Sequence, residues 1–377
     1  MKKVSVISHD ASLTGAPVLL INLMRLLKET GKYEFVILLR KGGELQNEFT
    51  ELGRTFVWNK NQLSSGRNFL RVLTVRRFKT KELQRKSVII KEVQSADVIL
   101  NNTITNGDLL SIIGKGYIGK IITYVHELTW AISTFTTDEA AKETIVWSNK
   151  FIVPSIIVKR NLEQTFQVPK ERITLLNYFV DPITNLGGPT KTENTSILTV
   201  GGCGTSDWRK GFDVFLSVAI YLKAIGKIQN FFFTWKGVSP NISGFSEIIF
   251  DIEKAGLKEK ILLLPSDKET DSFYKSIDVF FLSSREDPYP LVVLEAATYN
   301  APTVCFKEGG GAPEFVQSDA GFAVPYLDIR AVANVLLKYE EDRELLQSHA
   351  KAARNRVKAL HRDKSLIIKQ FEELIEY

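Results

Sequence analysis

The sequence predicts an α/β protein made of two Rossmann-like, doubly wound domains facing each other across a cleft. Three observations predict it. Short β-branched runs alternate with longer helical patterns along the whole chain. The strand runs are almost continuously apolar, as in parallel sheets covered on both faces. The chain has 377 residues, more than one ordinary domain, and a stretch rich in Pro, Gly, Thr and Asn without periodicity, DPITNLGGPTKTENT, interrupts it near its middle.

In the first half, strands are expected at Lys3–Ser8, Glu34–Leu39, Thr55–Trp58, Val98–Asn101, Ile121–Val125 and Phe151–Val153. Helical patterns lie between them, among them Pro17–Lys28, Lys81–Gln94 and Ser155–Phe166. The second half repeats the scheme, with strands at Ser196–Val200, Asn230–Thr234, Ile261–Leu264, Val279–Leu282, Pro302–Phe306 and Gly321–Val324. Its helices include Gly211–Ile225, Leu291–Tyr299 and Ile329–Tyr339, and helical patterns close the chain from Asp342 to Tyr377. The division that follows is a first domain at 1–182, a linker at 183–195, a second domain at 196–358, and a terminal helix at 359–377 that packs back toward the first.

Composition narrows the class. The hydrophobic fraction is 44% and the charged fraction 24%, ordinary for a well-packed globular protein. No apolar run reaches the roughly 20 residues of a membrane-spanning helix. Lys2 and Lys3 precede only a four-residue apolar stretch, so the N-terminus reads as a first strand rather than a leader. Cys203 and Cys305 lack metal-ligand spacing and read as reduced thiols, which points to a cytoplasmic protein. The net charge is +6, unevenly placed: residues 63–91 carry nine basic side chains against one acidic, so the segment is +8 and the rest of the chain −2. Arg67, Arg71, Arg76, Arg77 and Lys79 lead this stripe, which reads as a contact for a phosphate-bearing acceptor, for an anionic membrane surface at the inner face, or as a solvated helix pair. It lacks an interleaved aromatic platform and nucleic-acid motifs, so nucleic acid is not expected as a partner.

Open α/β sheets bind ligands beyond the carboxyl ends of their strands, so polar residues there are the candidates. After the first strand comes Ser12-Leu13-Thr14-Gly15-Ala16-Pro17. Gly15 allows close backbone approach, and Pro17 suits a first helical position whose neighbours offer free N–H groups to an anion. His126-Glu127 follows ITYV directly, which places an ionisable pair at a strand end. Gly201-Gly202-Cys203-Gly204-Thr205-Ser206-Asp207-Trp208-Arg209-Lys210-Gly211 is neither a dinucleotide fingerprint nor a P-loop. It does place Arg209 and Lys210 where they could neutralise a phosphate, or simply stand solvated against a helix dipole. Finally, Ser284-Arg285-Glu286-Asp287-Pro288-Tyr289-Pro290-Leu291-Val292-Val293-Leu294-Glu295 joins a strand to an apolar helix. Glu295 within that apolar face needs a ligand or a partner, and a carboxylate suits a ribose diol.

These segments, in this order, resemble the retaining GT-B glycosyltransferases of the family 4 type. The resemblance runs from Thr14-Gly15-Ala16-Pro17 to Pro313-Glu314 and is strongest in WRKGFDVFL (Trp208–Leu216) and SREDPYPLVVLEA (Ser284–Ala296). It implies a nucleotide-sugar donor held mainly by the second domain and a glycan or lipid-linked acceptor held by the first. It implies that Gly15 lies near the donor phosphates, that His126 faces the transferred sugar, and that Arg209 and Lys210 hold the diphosphate. Glu295 corresponds to the second glutamate of the family's Glu-x7-Glu element; Asp287, or its neighbour Glu286, takes the place of the first. Gly202, Tyr289, Leu291 and Val292 fall on the remaining donor-side positions. Such enzymes work without a cofactor or metal. Two departures stand out. Gly202-Cys203 replaces an expected arginine, and Pro288 and Pro290 replace glycines, which removes backbone donors. A sugar-nucleotide epimerase on the same fold, or a catalytically silent nucleotide- or glycan-binding subunit, would carry the same segments.

Overall fold

The computed structural model describes residues 1–59, 71–180, 197–267 and 270–376; over 71–80 it describes the helix but not its side chains. Arg67 and the linker 183–195 lie outside the described residues, and Arg71, Arg76, Arg77 and Lys79 are described only as backbone. The chain divides into two compact units, one of Met1–Phe179 with the segment from Lys364 onward, the other of Val180–Asp363.

The first unit runs β1 (Lys2–Ser8), α1 (Gly15–Glu29), β2 (Tyr33–Leu39), α2 (Gln46–Leu52), β3 (Arg54–Val57), α3 (Arg71–Gln94), β4 (Val98–Asn101), α4 (Gly107–Ile113), β5 (Lys120–Tyr124), α5 (Thr129–Phe135), α6 (Asp138–Trp147), β6 (Lys150–Val153), α7 (Ile156–Thr165) and β7 (Ile173–Leu175). The second runs β8 (Leu198–Cys203), α8 (Phe212–Ala224), β9 (Phe231–Lys236), α9 (Phe245–Lys254), β10 (Ile261–Leu264), α10 (Asp271–Ser276), β11 (Val279–Leu282), α11 (Leu291–Thr298), β12 (Thr303–Phe306), α12 (Ala312–Val316), β13 (Gly321–Val324), α13 (Ile329–Glu341) and α14 (Arg343–His361). The last helix, α15 (Lys364–Glu376), belongs to the first unit. There Phe371 meets the Tyr33 ring edge-on at 6.0 Å, and Lys2 Nζ donates to the Ile375 carbonyl at 3.0 Å.

The first sheet has the order β3-β2-β1-β4-β5-β6-β7 and the second β10-β9-β8-β11-β12-β13. Every pairing in both is parallel. Both are doubly wound, and each reverses direction once, between β1 and β4 and between β8 and β11. A ligand site is expected just beyond those strand pairs. Continuous apolar strands such as β11, VFFL, are buried along their whole length, because helices cover both faces.

Some boundaries differ from those read in the sequence, for local reasons. Helix α1 begins at Gly15, so Pro17 is its third residue rather than its first; its missing N–H still falls among the four that no helix satisfies internally. Helix α3 reaches back to Arg71, and the closing helical run breaks after His361. In the second core, Phe215 meets Trp235 at 5.1 Å and Phe233 at 5.3 Å, both edge-to-face. That cluster explains Gly202, because a Cβ there would lie 2.4 Å from the Trp235 ring.

Candidate functional site

In the first unit, residues from the β4 and β5 ends meet the start of α1. Asn102 Nδ2 donates to the Ala16 carbonyl at 2.9 Å, so its Oδ1 is the acceptor facing His126 Nε2 at 2.8 Å. By that network His126 carries its proton on Nε2, and Nδ1 accepts from the Tyr178 hydroxyl at 3.0 Å. The Tyr124 ring lies over the imidazole, centroids 4.2 Å apart. Burial, reinforced by the nearby His9, pushes the His126 pKa down to about 3, so the ring is neutral at physiological pH. Beside it, Glu127 accepts from the His126 backbone N–H at 2.9 Å and from the Thr103 hydroxyl, and burial raises its pKa. The structure thus joins His126 to the Gly15 turn through Asn102 and Ala16. It also occupies both ring nitrogens, so a sugar contact through His126 requires one of these hydrogen bonds to exchange. His126 is not poised as a base.

In the second unit the chemistry gathers beyond β8 and β11. Lys210 Nζ lies 2.6 Å from Asp287 Oδ2, and Arg209 3.9 Å from the same oxygen while donating to the Glu286 carbonyl at 3.0 Å. All three charged side chains are largely buried. The two loops are sewn together: the Arg285 N–H donates to the Arg209 carbonyl at 2.8 Å, the Ser283 hydroxyl to the Lys210 carbonyl at 3.0 Å, and the Arg285 guanidinium bidentately to Asp213. Asp287 is held by its backbone as well. Its N–H donates to the Gly309 carbonyl and its carbonyl accepts from Gly311 N–H, in a short parallel bridge around Gly310. Gly310 has φ +126°, and a Cβ there would meet the Asp287 carbonyl oxygen at 1.8 Å. The basic pair does stand just before a helix start, that of α8, and the structure also sets an internal carboxylate beside it.

Helix α11 opens after Pro290, with Leu291 and Val292 in its first turn, where backbone N–H groups lack helical acceptors. Tyr289 does not point its hydroxyl to that turn; it shares a hydrogen bond with His361 Nε2 at 3.1 Å. Glu295, one turn along α11, accepts from the Tyr274 hydroxyl at 2.6 Å. Burial raises the Glu295 pKa, and the Tyr274 hydrogen bond opposes the rise. Tyr274 and Ser283 were not legible as site residues, since each owes its place to a partner distant in sequence. Among the described residues, no group of three or more His, Cys, Asp or Glu could hold a metal ion. No described helix is long and apolar enough to cross a membrane.

Comparison with known proteins agrees with this architecture. Residues 1–134 match the model of glycosyl-transferase family 4, and residues 191–356 that of glycosyl transferases group 1. HepE of Anabaena, solved in complex with UDP and glucose, superposes with a TM-score of 0.79 at 15% identity over 100% of both chains. Sucrose-phosphate synthase from Thermosynechococcus elongatus does so at 0.74 and 16% identity, over 99% of this chain and 98% of its own. At these identities the likeness is one of fold. Among curated relatives, the lipopolysaccharide core biosynthesis mannosyltransferase of Rhizobium meliloti is 25% identical over 150 residues, 39% of this chain and 42% of that protein. The amylovoran biosynthesis glycosyltransferase of Erwinia amylovora is 27% identical over 108 residues, 29% and 30% respectively. The match therefore spans less than half the length of each of these two curated relatives. With a glycosyltransferase family matched over each half, on a fold shared along the whole chain, this protein belongs to the GT-B glycosyltransferases of the family 4 type.

Proposed function

We propose that the chain transfers a sugar, with retention of anomeric configuration, from a nucleotide-sugar donor to a hydroxyl of a glycan or lipid-linked acceptor in cell-surface polysaccharide assembly. The observation that carries this reading is the gathering of Arg209, Lys210 and the first turn of α11 beyond β8 and β11, with Glu295 one turn further along. Two cations and free helix N–H groups suit a diphosphate, and a carboxylate suits a ribose. A structural neighbour that binds UDP, and relatives named for lipopolysaccharide core and amylovoran synthesis, support the same donor and acceptor classes.

In this mechanism the departing diphosphate takes the proton of the acceptor hydroxyl on the same face of the sugar. Arg209 and Lys210 stabilise the charge that develops on the leaving group, and orientation supplies much of the remaining acceleration. Lys210 must exchange Asp287 for phosphate as the donor enters. Asp287, or Glu286, then becomes available to the sugar hydroxyls. No metal enters the step.

The test is thermal unfolding of the full chain against UDP-, GDP-, ADP- and dTDP-sugars and the free nucleotides. A ligand that binds only the folded protein at a hundredfold excess over Kd stabilises it by about 2.7 kcal/mol. A shift confined to one base identifies the donor class. Absence of any shift would sink the donor site, and binding without turnover across acceptors would favour the silent subunit.

A further inference from the structure

Tyr274 carries no family motif, lies on the short helix α10, and is fully buried. Its ring stacks on Tyr299, centroids 5.8 Å apart at 11°. That stacking and the neighbouring Phe273 and Phe280 rings fix the ring plane and aim the hydroxyl. The hydroxyl donates to Glu295 Oε2 at 2.6 Å. Burial pushes the pKa of the nearby Cys203 thiol, at the end of β8, up to about 12, so that side chain brings no negative charge to the carboxylate.

The Tyr274 hydrogen bond fixes which oxygen of Glu295 is free. Oε2 is held from the protein side, and Oε1 accepts no hydrogen bond among the described residues. Glu295 is four residues beyond Leu291, about 6 Å along the helix axis. That separation matches the span from a phosphate at the helix start to the hydroxyls of its own ribose. A hydrogen bond to an ionised acceptor is roughly twice as strong as a neutral one, so the grip on a diol depends on the carboxylate keeping its charge inside an apolar helix face.

We propose that Tyr274 is a positioning residue of the donor site: it holds Glu295 Oε2 and orients the carboxylate so that Oε1 reads the ribose hydroxyls, and thereby sets the preference for ribonucleotides over 2′-deoxyribonucleotides. This rests on the donor-site reading above.

The test compares binding of UDP and 2′-deoxy-UDP to the full chain across about pH 6 to pH 9, with the GDP pair in parallel. The wild type favours the ribonucleotide by about tenfold or more, the worth of a hydrogen bond to a charged group. Tyr274→Phe keeps the ring stack and removes only the hydroxyl. It brings the ratio toward one at the acid end, and the ratio recovers as rising pH ionises Glu295. Glu295→Gln gives a ratio near one at every pH. A Tyr274→Phe protein that keeps the wild-type ratio across the range overturns the proposal, because a merely packing role would leave the pH profile unmoved. If that variant is too unstable to titrate, Glu295→Asp withdraws the carboxylate from an intact phenol, and retention of the wild-type ratio there overturns it equally. A wild type that binds both nucleotides alike removes Glu295 from the ribose, and the proposal with it. A wild type that binds none of the UDP, GDP, ADP and dTDP compounds refutes the donor site itself, which is a distinguishable result.

Discussion

Lys210 and His126 show what a single residue contributes in each unit. Lys210 is the nearest cation to the internal carboxylate of Asp287, at 2.6 Å. Removing it leaves a largely buried carboxylate with Arg209 as its one cationic neighbour among the described residues and, in the proposed mechanism, takes one of two charges from the leaving group. Lys210→Ala is therefore expected to lose transfer by about 100-fold or more while folding normally; full activity in that variant would remove Lys210 from the mechanism. His126 makes its prediction through pH. Its folded pKa of about 3 lies below that of an ordinary histidine, so the unfolded chain binds the extra proton first. The neutral ring's contribution is fully present above about pH 6.5 and is lost as pH falls toward 3. Glu127, with its pKa raised by burial, acts in the opposite sense and favours the folded state at low pH. Denaturant unfolding of the wild type and His126→Gln, followed from pH 7 down, isolates the histidine. The difference between them should narrow by an amount on the order of a kcal/mol or more as pH falls. A difference constant with pH would show that the ring is not held neutral.

At the level of elements, strand and helix identity was the most legible part, because buried parallel strands are uninterrupted apolar runs and the long helices keep their period. The short helices α9 and α10 were not read, and α10 carries Tyr274. The site was legible as separate motifs and not as a site. Lys210 and Asp287 stand 77 residues apart, and only the adjacency of β8 and β11 joins them. The same logic separates two glycines. A Cβ on Gly15 would meet nothing within 4 Å, whereas one on Gly310, at φ +126°, would drive into the Asp287 backbone. Gly310→Ala is expected to destabilise the second unit by roughly 1–3 kcal/mol and to weaken nucleotide binding. Gly15→Ala is expected to be neutral or stabilising, by up to roughly 1 kcal/mol. Loss of transfer in a fully folded Gly15→Ala protein would then report backbone approach to a ligand. Retained transfer would mean that Gly15 only opens the helix. Thermal melts with and without nucleotide distinguish these outcomes.

For the molecule as a whole, charge distribution decides more than net charge. A net +6 resolves into +8 on residues 63–91 and −2 elsewhere, so the field is concentrated on one segment. Much of that segment is α3, which ends at Gln94 and carries Arg76 and Arg77. Exposed charges more than about 8 Å apart are screened at physiological salt, so such a stripe acts by contact with a dense anionic surface rather than at long range. Each basic residue near an anionic leaflet contributes about 1 kcal/mol. Arg76→Glu with Arg77→Glu should then weaken binding to phosphatidylserine vesicles by roughly 30-fold or more, even counting only the lost attraction. The cluster proposed to bind the donor belongs to the other compact unit, so the nucleotide-induced thermal shift should survive the change. Vesicle binding that falls while nucleotide binding holds would assign the stripe to a surface. Unchanged vesicle binding with weaker use of a soluble phosphate-bearing acceptor would assign it to the acceptor. If neither changes, the stripe is a solvated helix face and its charge serves solubility alone.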